Sequence, residues 1–133
     1  MTRYVVDAGA LLLLASRRAE IGAGHELLAP TLLRSQTLSL LHEAVRRGEL
    51  PAREALDRLA WIARLRIRLL GDGVLRRRAW DIAQREGWAS TYDAEYVALT
   101  TLQADVLVTS DERLARAVSG LVETATVDAL GTA

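Results

Sequence analysis

Three short stretches of the chain are continuously apolar: YVV at 4–6, LLA at 27–29 and VLV at 106–108. Runs this short, rich in β-branched residues and bounded by turn formers, are what strands covered on both faces look like. Between them the apolar positions recur at helical spacing. Ala10 to Ser16 reads as a short apolar helix after the turn at Gly9. A longer helix is predicted from Pro30 and Thr31 to about Arg47, with Leu32, Leu33, Leu40, Leu41 and Val45 on its apolar side and Gly48 at its end. Pro51 opens another, through Leu56, Leu59, Ala60 and Ala63. Ile67, Leu69 and Leu70 alternate partly with arginines, as an edge strand does. Asp72 can cap a helix carrying Val74, Leu75, Ala79, Ile82 and Ala83, which Gly87 stops.

The stretch 91–114, TYDAEYVALTTLQADVLVTSDERL, has an aspartate at each junction. Thr91 is placed to cap a helix whose core face holds Tyr92, Tyr96, Val97, Leu99 and Leu102. Asp93 then falls in its first turn, and Asp111 just past the carboxyl end of the following strand. A last helix ending near Val118 and a final strand at 121–125 complete the order β-α-β-α-α-β-α-α-β-α-β. That order predicts an α/β fold, one domain over residues 1–133, with a mostly parallel sheet between helical layers.

Composition narrows the chemistry. Seventeen acidic and seventeen basic residues cancel, so any case for nucleic acid rests on how the charges are distributed. Every basic residue is arginine, and the chain has no cysteine, so disulfides and thiolate metal sites are unavailable. MTRYVVDAG lacks the build of a signal peptide, and the leucine run at 11–14 is too short for a bilayer. A cytoplasmic protein with no membrane partner is the expectation.

Asp7 and Asp111 both follow buried strands at their carboxyl ends, where open α/β sheets bind ligands. If those strands are neighbours where the strand order reverses, the two carboxylates converge, and Asp93 can join them. Three acids in one crevice repel one another unless a cation lies between them. Mg²⁺ or Mn²⁺ suits an all-oxygen set, and such an ion supports phosphodiester hydrolysis. Each aspartate also has a structural reading: Asp93 and Asp111 as helix caps, Asp7 as a turn residue. Their common placement at one end of the sheet favours the metal.

VVDAGALL, TYDAEYVAL and LVTSDERL resemble the motifs of the PIN-domain family, in particular the VapC toxins of bacterial toxin–antitoxin pairs. The resemblance spans nearly the whole chain in order and spacing. It implies a three-layer α/β/α fold and a metal-dependent ribonuclease toxin held inactive by a VapB-like antitoxin, acting as a homodimer. Asp7, Asp93 and Asp111 match the family's first, third and fourth acids, and Thr109 the hydroxyl residue that supports the last of them. The second acid departs. PTLLRSQTLS places Gln36 where the family has glutamate and Ser39 where it has asparagine, and Gly9 stands where small hydroxyl residues are common. Glutamine keeps a carbonyl oxygen but brings no charge and takes no proton. The alternative to a working ribonuclease is therefore a weakened or inactive PIN-fold protein that acts by binding an antitoxin or RNA. Glu43 lies about 10 Å further along its helix than Gln36, Glu95 points to another helix face than Asp93, and Glu112 is the better candidate for a supporting role.

Weaker signals remain. His25 and His42 share no zinc spacing. Arg64, Arg66 and Arg68, and Arg76, Arg77 and Arg78 with Arg85, read as phosphate grips or as solvated or antitoxin-pairing faces. Trp61, Trp80 and Trp88 read as core or interface anchors. A phospho-receiver would need a lysine, and a haloacid-dehalogenase-type phosphatase an aspartate at Gly9; both classes are set aside.

Overall fold

The computed structural model describes residues 1–131. Five strands, β1 (Thr2–Val6), β2 (His25–Pro30), β3 (Arg68–Leu70), β4 (Val106–Val108) and β5 (Glu123–Ala125), form one sheet in the order β3-β2-β1-β4-β5. All four pairings are parallel, so the sheet is wholly rather than mostly parallel. The helices are α1 (Ala8–Arg17), α2 (Leu32–Arg46), α3 (Ala52–Arg64), α4 (Gly73–Glu86), α5 (Tyr92–Gln103) and α6 (Glu112–Ala117).

The chain steps from β1 outward to β2 and β3, then returns to β4 on the other side of β1. With right-handed crossovers, this places α1, α2 and α3 on one face and α4, α5 and α6 on the other. The packing agrees: α1, α2 and α3 touch one another, while α4 lies along α5, and α5 covers β1, β2 and β4. Val5, Val6, Leu28, Leu107 and Val108 are fully buried between the layers. This is why their stretches carry no polar alternation.

Several boundaries and faces differ from the sequence reading. β2 begins at His25, two residues early, where the imidazole packs edge-on against Tyr4 with ring centroids 5.0 Å apart. β5 starts at Glu123 rather than 121. The β1/β2 partner pairs Thr2–His25 and Arg3–Glu26 extend the ladder beyond the apolar run; backbone pairing, not hydrophobicity, sets that end. Tyr92, the first residue of α5, is 55% exposed, whereas Ala94 in the same turn is fully buried. Leu40 and Leu56 are also exposed on α2 and α3. Thr91 occupies the N-cap position of α5 without a side-chain bond, and the Ser90 hydroxyl instead accepts from the Tyr92 amide at 3.2 Å. Asp72 does cap α4, accepting from the Leu75 amide at 2.8 Å, and Gly87 closes that helix at φ +73°, a conformation glycine adopts at no steric cost. Among the described residues no helix is long and apolar enough to cross a membrane.

Candidate active site

β1 and β4 are neighbours, in register Tyr4–Val106, Val5–Leu107 and Val6–Val108. The Asp7 amide continues this ladder by donating to the Val108 carbonyl at 3.2 Å. Strand order reverses between these two strands, so the chain leaves their carboxyl ends toward opposite faces and opens a crevice there. Asp7 stands at its mouth as the N-cap of α1, its Oδ1 accepting from the Ala10 amide at 2.9 Å. Asp111 is the N-cap of α6, its Oδ1 accepting from the Arg113 and Leu114 amides at 3.0 and 3.1 Å. Each therefore has the capping role that a structural reading assigns to an aspartate, and each keeps Oδ2 outside those cap bonds. Asp93 is no cap. It lies in the first turn of α5 and is exposed.

Asp7 is acted on by both other carboxylates, and Asp93 by Asp111. Burial pushes the Asp7 carboxyl above the usual carboxylate range, and the charges of Asp93 and Asp111 add to this. Hydrogen bonds from the Thr109 hydroxyl and the Ala10 amide pull it down in part. Asp93 is raised by loss of hydration and then by Asp111. Thr109 is buried, and its Oγ1 accepts from the Asp111 amide at 3.0 Å, so one hydroxyl links the segments that carry Asp7 and Asp111. Space at Gly9 is tight: a Cβ there would stand 3.3 Å from Ser110 Oγ, which would have to give by a few tenths of an ångström, and 3.9 Å from Asp7 Oδ1, an ordinary contact.

Gln36 has turned its carbonyl to a phenol. Tyr96 is buried, and its hydroxyl donates to Gln36 Oε1 at 2.5 Å. Burial, with the negative charges of Asp7, Glu95 and Asp93, drives the Tyr96 pKa far above its ordinary value, so the phenol stays a donor. The sequence reading placed Tyr96 in the core and missed this polar end. The signal was present, since Tyr96 lies three residues after Asp93 on the same helix face. Glu95 is likewise raised by burial, and its charge acts on Tyr96, the next residue in the chain.

The supporting residues separate. Ser39 is exposed on α2 and donates to Glu43 at 2.7 Å, and Glu43 in turn faces Arg47 at 3.9 Å. Both are occupied on the solvent side of that helix. Glu112 is exposed and lines a cavity with Thr109, Ser110, Asp111, Arg17 and Asp128. His42 is exposed. His25 is packed, with Nδ1 buried and unpartnered among the described residues.

Comparison with known proteins adds the fold. No family model matches the chain, and no curated protein matches it. Solved structures do. The chain is similar to PAE2754 from Pyrobaculum aerophilum, known from a crystal structure, at a TM-score of 0.66 and 24% identity over 96% of this chain and 92% of that one. The fold is shared. A PilT N-terminus domain protein, SSO1118, from the hyperthermophilic archaeon Sulfolobus solfataricus P2 aligns at a TM-score of 0.46 and 15% identity, covering 96% of this chain and 88% of that one.

Among the described residues no three His, Cys, Asp or Glu side chains stand close enough to hold one metal ion as they are placed. The donor chemistry nevertheless suits a hard cation. Asp7 and Asp93 are both destabilised as anions by their surroundings, Asp111 contributes to each shift, and a divalent ion would relieve both.

Proposed function

We propose that this chain is a PIN-type, Mg²⁺- or Mn²⁺-dependent endoribonuclease, the toxin of a VapBC-like pair. The observation that carries this reading is that burial raises both Asp7 and Asp93 at the reversal point of a parallel sheet, with Asp111 adding to each and Asp93 adding to Asp7. These three side chains would hold the ion, which when bound supplies charge neutralisation at a phosphate and a more acidic water. The remaining tasks fall to the chain itself. The cap bonds from the Ala10, Arg113 and Leu114 amides fix the Asp7 and Asp111 carboxylates on rigid helix starts, and a ligand set held in place beforehand needs less reorganisation when it acts. Thr109 keeps the two aspartate-bearing segments in register. Tyr96, protonated, holds the Gln36 carbonyl, so the amide NH₂ of Gln36 is the end left to face a phosphate oxygen or a water.

That contact also favours the second reading, a PIN-fold protein acting by binding alone, because it occupies the one Gln36 oxygen able to stand in for the family's carboxylate. The partner side of the proposal rests on the exposed Leu38, Leu40 and Leu56 of α2 and α3 and on a groove of about 410 Å³ between those helices, lined by Leu33, Leu59, Ile62 and Ile67. A VapB-like antitoxin helix or a second copy of the chain would cover such a surface.

Purified protein incubated with single-stranded and structured RNA plus Mn²⁺ or Mg²⁺ tests the reading, with Asp7→Asn and Gln36→Glu in parallel. Cleavage by the wild type, lowered on the order of 100-fold by Asp7→Asn, establishes the ribonuclease. Cleavage by Gln36→Glu alone points to binding as the native role. No cleavage by any of the three overturns the enzymatic reading.

A further inference from the structure

Beside the aspartates lies a cleft of about 330 Å³ lined by Trp88, Asp93, Asp111, Arg113, Leu114 and Ala117. Two of these side chains have no part in the acidic group. Trp88 follows the left-handed turn at Gly87, and its amide donates to the Ala83 carbonyl at 2.9 Å, which pins the backbone. The indole is half-buried: one part packs against the core while another borders the cleft. Arg113 is exposed, and its guanidinium makes no ion pair among the described residues, although carboxylates border the same cleft.

A free guanidinium, carboxylates and an indole in one cleft present complements to the parts of a nucleotide. Guanidinium matches phosphate. Carboxylate accepts from ribose hydroxyl or holds a phosphate-bound cation. Indole offers a face to a base, and only an unpaired base is free to lie on it. Resting on the ribonuclease reading, we propose that Trp88 and Arg113 form a subsite for one single-stranded nucleotide next to the phosphate served by the aspartates. Trp88 stacks on the base and Arg113 grips the adjoining phosphate. The competing location is the solvent face of α4, where Trp80, 61% exposed, lies one turn from Arg76.

The test needs no turnover. In EDTA, the Trp61→Phe/Trp80→Phe variant leaves Trp88 as the sole tryptophan, and its emission is followed while single-stranded oligouridine or an RNA duplex is added. Fluorescence anisotropy of labelled RNA reports binding independently. The expected result is saturable quenching by the single strand and little by the duplex. Trp88→Ala should weaken single-strand binding on the order of ten-fold, with Trp88→Tyr restoring most of it. Arg113→Ala should weaken it further and lower the salt slope by about 0.7. Should the double variant misfold, the same titration on Trp88→Phe against wild type reads the loss of quenching directly. Unchanged Trp88 emission while RNA binds, quenching confined to Trp80, or no RNA binding at all overturns the subsite. Cleavage without Trp88 quenching sinks this inference and spares the ribonuclease. Quenching without cleavage does the reverse.

Discussion

Asp7 is where this chain places a charge against its surroundings. Its carboxyl is raised by burial, with Asp93 and Asp111 adding, from a reference near 3.8. A carboxyl with a raised folded pKa holds more protons folded than unfolded between the two values, so stability is greatest below the unfolded value and falls as pH rises through the folded one. Asp7→Asn removes that penalty and keeps an oxygen for the Ala10 amide. In metal-free buffer the variant should melt above wild type at neutral pH, and the gap should close toward pH 3.8. Thermal scans across that range check both halves, and an equal gap at all pH values counts against the burial of this charge. Tyr96 makes the opposite case, a buried polar group already satisfied. Tyr96→Phe orphans the Gln36 carbonyl and should cost about 1 kcal/mol in denaturant unfolding.

Helix ends show how capping depends on geometry that residue type leaves open. Asp72 and Thr91 both precede helices and both belong to types that cap well. Only Asp72 bonds, to the Leu75 amide. Asp72→Ala should therefore lower stability by about 1 kcal/mol, while Thr91→Ala should fall within about 0.5 kcal/mol of wild type; urea titration of the pair separates them. Most elements were legible from their apolar period, and the buried runs at β1 and β4 from their lack of one. Faces were less legible. Tyr92, Leu40 and Leu56 keep helical spacing yet are exposed. A period identifies a stripe, but how far the neighbouring element extends decides how much of the stripe is covered.

For the whole molecule, ligand linkage is the informative quantity. A divalent ion held by the folded chain alone raises stability by RT ln(1 + [L]/Kd), about 2.7 kcal/mol at a hundred-fold excess over Kd. Mn²⁺ should raise the wild-type Tm and leave that of Asp7→Asn nearly unchanged; an equal rise in both would place the ion elsewhere. Net charge is zero, so RNA affinity should carry only the shallow salt dependence of a few local arginines. By itself the sequence determined the parallel α/β class, because buried strands and amphipathic helices announce themselves through periodicity. It also determined that Asp7 and Asp111 each follow a buried strand and that Gln36 brings no charge. Only the tertiary structure decided that β1 and β4 are neighbours, that Tyr96 holds the Gln36 carbonyl, and that Trp88 and Arg113 border the aspartates. The strand pairing, the Tyr96–Gln36 bond and the meeting of the 88–93 and 111–113 segments across the cleft all join residues far apart in the chain, and no local pattern encodes which strand a strand will choose.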